Sequence, residues 1–157
     1  MVDISTVSIA IASAGVFLAA IYYIFQIRHQ TKLRQTDLVM KLYSDFNSFQ
    51  FQKTWEEVLK RKEEDFLEIE KKYGKAEALT VGMFFEGIGI LLKRKLIDIE
   101  LVDDMFTTAI KMTWEKMRNT TLQARKVTNT PETFEWFEYL YNEMEKRKEQ
   151  QLASKKA

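Results

Sequence analysis

From Ile4 to Ile27 the chain reads ISTVSIAIASAGVFLAAIYYIFQI, a run that contains no charged side chain. As an α-helix this run would be about 36 Å long, at about 1.5 Å per residue. The hydrocarbon core of a bilayer is about 30 Å thick. Length and absence of charge together predict one transmembrane helix that crosses the bilayer with some tilt.

A cleaved signal peptide is the alternative interpretation of this apolar N-terminus. Signal peptides begin with basic residues, whereas this chain begins Met1-Val2-Asp3. Cleavage after the small residues Ala12-Ser13-Ala14 would leave the apolar stretch 15–27 as a new N-terminus. We therefore expect the segment to remain in the mature protein as a membrane anchor.

The residues that flank the apolar run predict its orientation. Arg28, Lys32 and Arg34 precede the first acidic residue, Asp37, on the C-terminal side, and the N-terminal flank has no basic residue. Basic flanks remain on the cytoplasmic side of a membrane. The sequence therefore predicts a single-pass protein of the cell membrane whose C-terminal domain is cytoplasmic.

Small and polar residues recur along the run at alternating spacings of three and four, which keeps them on one helix face. Large apolar residues such as Ile11 and Leu18 occupy the opposite face. Small residues let two helix backbones approach closely in lipid, so this face predicts a helix–helix seam with a second copy or another subunit. Alternatively, such residues are simply common in membrane helices. The predicted seam consists of Ser5, Ser8, Ala12, Gly15, Ala19, Tyr22 and Gln26.

Composition excludes several classes of function. The chain has no cysteine and one histidine, which excludes disulfides, thiolate metal sites and multi-histidine metal sites within one chain. Its net charge of +1 is unlike the basic excess of a general nucleic-acid binder. We expect no cofactor, no bound metal and no nucleic-acid partner.

After the anchor the sequence predicts an all-α domain, because apolar residues recur at helical spacing and the chain contains only one proline. We expect the membrane helix to continue into a cytoplasmic bundle of about five to six helices. The predicted regions are the anchor and its flank (1–30), the helical domain (31–150) and a frayed polar tail (151–157). Capping residues predict helix starts at Asn47-Ser48, Asp65, Asp98 and Thr130-Pro131.

One predicted helix, over about 76–96, includes the stretch VGMFFEGIGILL, which is apolar on all sides except for Glu86. Such a helix is expected to be buried all round. Gly82 and Gly89 share the face of Glu86 and would let another helix approach. A buried carboxylate needs a partner, and we predict a buried pair with Arg118 or Arg125. The alternatives are an ion- or proton-handling carboxylate and a contact to another subunit.

The last predicted helix is rich in aromatic residues on more than one face. Most of these rings are expected in the core, and the remainder predict a surface for a partner. The residues assigned to that surface are Trp136, Tyr139 and Tyr141.

Several short motifs follow the membrane helix in a fixed order along the chain. They are Arg34-Gln35-Thr36, Lys72-Tyr73-Gly74, Phe85-Glu86-Gly87-Ile88-Gly89, Leu91-Leu92-Lys93-Arg94-Lys95-Leu96-Ile97-Asp98, Trp114, Arg125, Pro131 and Phe137-Glu138-Tyr139-Leu140. In this order they resemble a prokaryotic family of uncharacterised, membrane-anchored helical proteins, a domain of unknown function. The resemblance covers nearly the whole chain and implies one anchor and one helical domain, with no assigned activity.

These observations favour a non-enzymatic, membrane-anchored interaction module that contacts lipid and either self-associates or serves as an accessory subunit of a larger membrane complex. An alternative is an ion- or proton-conducting homo-oligomer, with Ser5, Ser8 and Gln26 along the path. A third hypothesis is an enzyme that uses Glu86 on a membrane-derived substrate. No catalytic sequence motif supports this third hypothesis. Adjacent acids such as Glu56 and Glu57 point in different directions on a helix, so they cannot act as a pair.

Overall fold

The structure is a computed structural model that describes residues 3–62 and 65–154. Within these residues the chain forms six α-helices and no strand, which confirms the predicted all-α fold. The chain divides into two compact units, Met1–Asp37 and Leu38–Ala157. The helices are α1 (Ile4–Phe46), α2 (Phe49–Lys60), α3 (Phe66–Tyr73), α4 (Ala76–Lys93), α5 (Ile99–Thr128) and α6 (Glu135–Ser154).

Helix α1 is continuous for 43 residues and contains no proline. Of the described helices, it alone is long and apolar enough to cross a membrane, and no residue of its apolar window is buried. Its last residues belong to the second unit, where Val39 and Phe46 are buried. The predicted continuation of the apolar helix into the helical bundle is therefore present.

The core of the second unit lies between α4, α5 and α6, with contributions from the end of α1 and from α2. Helix α4 packs most extensively against α6 and next against α2. Aromatic rings fill much of this core. The ring of Phe85 stacks on that of Phe137 at a centroid distance of 4.9 Å, and Trp114 meets Phe137 edge-on at 5.0 Å.

Capping residues end and begin several helices where the sequence predicts. Ser48 caps α2, Asp65 caps α3 and Asp98 caps α5, each by accepting hydrogen bonds from backbone N–H groups of the first turn. Gly74, with φ of +74°, ends α3 in the left-handed region that glycine tolerates.

The end of α4 differs from the prediction of a helix to about residue 96. Lys95 adopts φ of +57°, and its N–H donates to the carbonyl of Leu92 at 2.9 Å. The N–H of Leu96 donates to the carbonyl of Leu91, also at 2.9 Å. This pair of bonds is a Schellman ending, formed here without a glycine, so the helix stops at Lys93.

The predicted start of the last helix at Thr130-Pro131 is wrong. Asn129 ends α5 with φ of +53°, and the N–H of Thr130 donates back to the carbonyl of Arg125 at 3.2 Å. Residues 131–134 form turns, and α6 begins at Glu135. The helix does not start at the proline because Phe134, which has a φ of +56°, is buried against α4.

Two further expectations need correction. Helix α4 is not buried on every side, because no described residue covers Met83, which is 60% exposed. The polar tail predicted from residue 151 continues as helix α6 through Ser154, and residues 155–157 lie outside the described part.

Candidate functional site

Glu86 lies at the contact between α4 and the N-terminus of α6, and only 8% of the residue is exposed. Its Oε2 accepts a hydrogen bond of 2.7 Å from the backbone N–H of Phe137. The first turn of a helix has N–H groups with no acceptor in the helix itself. The first intrahelical bond of α6 runs from Glu138 to Phe134, whose side chain cannot accept a bond. Glu86 therefore caps α6 from a different helix.

Gly82 and Gly89 make this contact possible. A Cβ atom at Gly89 would overlap the carbonyl group of Trp136, and one at Gly82 would overlap the ring of Phe134. Both glycines lie on the same face of α4 as Glu86. The segment that enters α6 consequently packs directly on the α4 backbone, and this brings the Phe137 N–H within reach of the carboxylate. We call Gly82, Glu86, Gly89, Phe134, Trp136 and Phe137 the Glu86 site.

Burial raises the pKa of the Glu86 carboxyl above its ordinary value. The backbone N–H groups of Phe137 and Trp136 oppose that rise, because they stabilise the ionised form. The charge of Glu135 adds to the rise and that of Arg125 opposes it, both to a lesser degree. The net result is a raised pKa in spite of the helix N-terminus, whose partial positive charge favours an anion.

The predicted ion pair between Glu86 and an arginine is wrong. Arg118 is exposed on α5. The Nη1 of Arg125 donates to Glu138 at 2.7 Å, and its Nε donates to the carbonyl of Thr133 at 2.9 Å. Arg125 therefore holds the start of α6 in place, while Glu86 takes its hydrogen bond from the backbone.

Trp136 and Tyr139, two of the three residues predicted as a partner surface, lie half-buried beside one another at a centroid distance of 6.1 Å. The ammonium group of Lys93 lies 4.9 Å from the Tyr139 ring centroid and 5.9 Å from that of Trp136. Both distances suit cation–π contacts. Tyr141 is separate from this pair, because its ring packs on Trp114 at 6.3 Å. Their role toward a partner stays a prediction.

The predicted seam residues all lie on the exposed surface of α1. No atom lies within 4 Å of the position that a Cβ of Gly15 would occupy. The hydroxyl of Ser8 donates to the carbonyl of Ile4 at 3.0 Å, and that of Ser5 donates to Asp3 at 2.7 Å. Both hydroxyls therefore have acceptors within the same chain, one in the helix backbone and one in the carboxylate that precedes it, and the association of this face with another helix stays a prediction.

Comparison with known families adds one finding. The model of a domain of unknown function, DUF4760, matches residues 9–144, which is most of the chain. The chain belongs to the DUF4760 family. No curated protein and no solved structure matches it. The expected resemblance to an uncharacterised family is confirmed, and its description assigns no activity.

The DUF4760 match covers the Glu86 site and the seam from Ala12 onward, but not Ser5 and Ser8. No group of three acidic or histidine side chains in the described part of this DUF4760 protein could hold a metal ion. At the Glu86 site the carboxylate already accepts a backbone hydrogen bond and the glycines admit no side chain. The arrangement joins α4 to α6 and offers no nucleophile or proton acceptor in an open cleft.

Two features escaped sequence reasoning about this DUF4760 domain. One is the position of Phe134, which is expected in the core as part of the last helix but instead lies just before α6, with its buried ring over Gly82. The other is Arg61, which is only 5% exposed although it follows the charged end of α2. A cation at such a position is normally solvated, so the sequence contains no signal for its burial.

Proposed function

We propose that this DUF4760 protein is a membrane-anchored helical interaction module. In this proposal α1 crosses the cell membrane once and the bundle is cytoplasmic. The module self-associates or serves as an accessory subunit of a larger membrane complex. The observation that carries the proposal is that no residue in the apolar window of α1 is buried.

The apolar side chains of α1 have no described partner that would shield them from water. Val16 is 72% exposed, Phe17 68% and Leu18 66%. Burial of apolar surface stabilises by about 25 cal/mol per Å², so apolar side chains exposed around the helix favour lipid or another helix over water. Insertion into a bilayer supplies that burial along the whole apolar length of the helix.

The polar flanks of α1 support the proposed orientation. Arg28, Lys32 and Arg34 are exposed just beyond the apolar stretch. Cationic side chains at that position favour the cytoplasmic face. Tyr22 and Tyr23, which are 69% and 63% exposed, lie near the same end, where amphipathic rings anchor at the lipid headgroups.

The role as an interaction module is supported by what the bundle and α1 offer. In the bundle, Glu86 accepts a hydrogen bond from the first turn of α6 and so caps that helix. The seam face of α1 offers small side chains for close approach of a second helix. An assembly role is the function that uses these features without requiring chemistry at Glu86.

Orientation is tested by cysteine accessibility, because the natural chain contains no cysteine. We expect a cysteine at Ser154→Cys to react with a membrane-impermeant maleimide only after the cells are permeabilised. A cysteine at Asp3→Cys should react in intact cells. Labelling of Ser154→Cys from outside intact cells would show that the proposed topology is wrong.

Assembly is tested by purification from membranes in a mild detergent, followed by native mass spectrometry. Foreign subunits that copurify at fixed stoichiometry support the accessory role, and a defined homo-oligomer supports self-association. A bare monomer, together with the absence of cross-links in intact membranes, would contradict the interaction proposal.

A further inference from the structure

A cavity of about 250 Å³ lies in the second unit, bounded by α2, α3, α4, α5 and the segment that joins α5 to α6. Apolar side chains form most of its inner wall, among them Val58, Ile69, Ala78, Met117 and Phe134. Exposed residues also line it, including Lys75 and Thr128. The cavity therefore combines an apolar interior with an opening at the surface.

A buried arginine forms part of the cavity wall. Arg61 is 5% exposed, its Nη2 pairs with the carboxylate of Glu77, and its guanidinium carbon lies 4.8 Å from the ring centroid of Tyr73. Its Nε–H, however, has no acceptor among the residues whose positions are described. Buried donors almost always have an acceptor, so a polar atom from outside this set of residues is expected to accept from Nε.

A second buried nitrogen without an acceptor among the described residues is Nη2 of Arg125, but Arg125 does not line the cavity. Arg61 thus couples an orphaned donor with a space large enough to hold a ligand. Genuinely empty cavities are lined by apolar groups, so a polar donor in the wall favours an occupied cavity.

The charges that line the cavity favour an anion. Three cations, Arg61, Lys75 and Lys116, line it together with one acid, Glu70. Lys75 and Glu70 form an ion pair of 2.9 Å. Even when Glu77 is counted with Arg61, one positive charge remains, and a low-dielectric wall strengthens its attraction for an anion.

Size limits the ligand further. An engineered apolar cavity of about 150 Å³ in another protein binds benzene, so this cavity has room for a somewhat larger molecule. Drug-sized ligands occupy pockets of about 300–1,000 Å³, which places an entire phospholipid beyond its capacity. The fit is to a short apolar chain or ring with a compact anionic end.

We propose that this cavity is a binding site for a small amphiphilic carboxylic acid. The carboxylate accepts from the Nε–H of Arg61 near Lys116, and the apolar part lies against Met117, Ala124 and Phe134. The ligand would thereby contact the segment that precedes α6, because Thr130, Thr133 and Phe134 of that segment line the same cavity.

The test uses the full chain in lipid nanodiscs, labelled with ¹³C at the methionine methyl groups, and octanoate as the probe. We expect the Met117 methyl resonance to shift saturably, since Met117 lines the cavity and is 5% exposed. Met83, which is 60% exposed and does not line the cavity, is the matched control for octanoate partitioned into lipid. An unchanged Met117 signal, or equal shifts at both methyl groups, would overturn the proposal.

Three comparisons separate an acid-binding site from a general apolar cavity. Octanol should bind at least tenfold more weakly than octanoate. Ala124→Phe, which fills the cavity, should abolish the Met117 shift, and Arg61→Gln should weaken binding at least tenfold. Arg118→Gln, on the exposed surface of the same helix as Ala124, should leave binding unchanged.

Equal affinity for octanol and octanoate would contradict the role of Arg61, and this result does not depend on any variant. Should Arg61→Gln fail to fold, the alcohol comparison still decides the question of charge. Saturable binding that survives Ala124→Phe would place the ligand elsewhere and overturn the assignment of the cavity.

Discussion

The apolar segment of α1 and the whole of α4 are alike in composition and opposite in environment. Both are glycine-containing helices with few charges, yet no residue in the apolar window of α1 is buried, whereas seven residues of α4 are. Around Gly15 there is open space, whereas Gly82 and Gly89 lie against the segment that enters α6. The difference shows that hydrophobicity alone does not decide which apolar helix forms a core.

Length and the position of one carboxylate separate the two helices. Helix α4 has 18 residues, about 27 Å at 1.5 Å per residue, slightly less than the hydrocarbon thickness of about 30 Å. It also carries Glu86, for which α6 provides a hydrogen-bond donor. The uncharged run of α1 exceeds the bilayer thickness and contains no such group.

The largest expected effect is at the glycine that touches backbone. Gly89→Ala should destabilise the bundle by about 3 kcal/mol, the upper end of ordinary overpacking costs, because a carbonyl group cannot rotate away as a side chain can. Thermal or urea unfolding of the full chain in nanodiscs measures it.

Gly87 provides the matched control on the same helix, since no atom lies within 4 Å of the position that its Cβ would occupy. Gly87→Ala should be neutral or stabilise by up to about 1 kcal/mol through helix propensity. Equal effects of the two substitutions would show that close approach at Gly89 does not hold α4 against α6.

The next largest effect concerns the cap that α4 provides. Glu86→Ala should cost about 2 kcal/mol, because it leaves a buried N–H of Phe137 without an acceptor. Glu86→Gln should cost less, since its carbonyl oxygen can still accept that bond. If Glu86→Ala had the same unfolding midpoint as the wild type, α6 would not depend on this cap.

The architecture and the special face of α4 could be predicted from sequence, whereas the partner of Glu86 could not. Helical spacing and capping residues are local signals, so Ser48, Asp65 and Asp98 mark helix starts correctly. The flanking glycines correctly indicate a close neighbour for Glu86. That neighbour is a backbone N–H, which every residue but proline possesses, and so the sequence contains no signal for it.

The start of α6 could not be predicted from the sequence for a related reason. Thr130 and Pro131 form a favourable local start, but burial of Phe134 over Gly82 sets where the helix begins. Such a contact joins residues some fifty positions apart. Local propensity is weaker than tertiary packing of this kind.

A smaller effect is the pH dependence of the wild type relative to Glu86→Gln. The folded-state pKa of Glu86 is raised above its ordinary value, so the folded state holds its proton more tightly than the unfolded state does. Stability is then lost as pH rises from that ordinary value through the raised pKa. We expect wild type to lose stability relative to Glu86→Gln over this window, measured by unfolding at several pH values.

Asp103 supplies a control of opposite sign in the same bundle. Burial pushes its pKa upward, but hydrogen bonds from Thr107, Arg147 and Gln151 outweigh this and leave the pKa lowered. The stabilisation from Asp103 is present above its ordinary pKa and is lost as pH falls through the lowered value. Below the ordinary pKa of Asp103, wild type should therefore lose stability as pH falls, and Asp103→Asn should not show this loss. If the contribution of Asp103 were instead lost as pH rises, as for Glu86, the lowered pKa of Asp103 would be contradicted.

The smallest effect on bundle stability is expected in α1. Gly15→Leu should leave unfolding of the bundle unchanged, because no atom lies near Gly15, but should weaken association of α1 in the membrane by blocking close approach. Ile11→Leu on the opposite face is the control. Cross-linking yields that are equal in both variants would remove the seam from consideration.

The dependence of α4 on α6 has a consequence for synthesis of the chain. Helix α4 ends at Lys93, and its main covering element is complete only at Ser154. At about 5–20 residues per second, translation leaves about 3–12 s between the two events. During that interval a short apolar helix leaves the ribosome with its partner unmade, close behind a segment suited to a bilayer. A chaperone that shields residues 81–92, or rapid docking on α2, would prevent its aggregation until the last helix arrives.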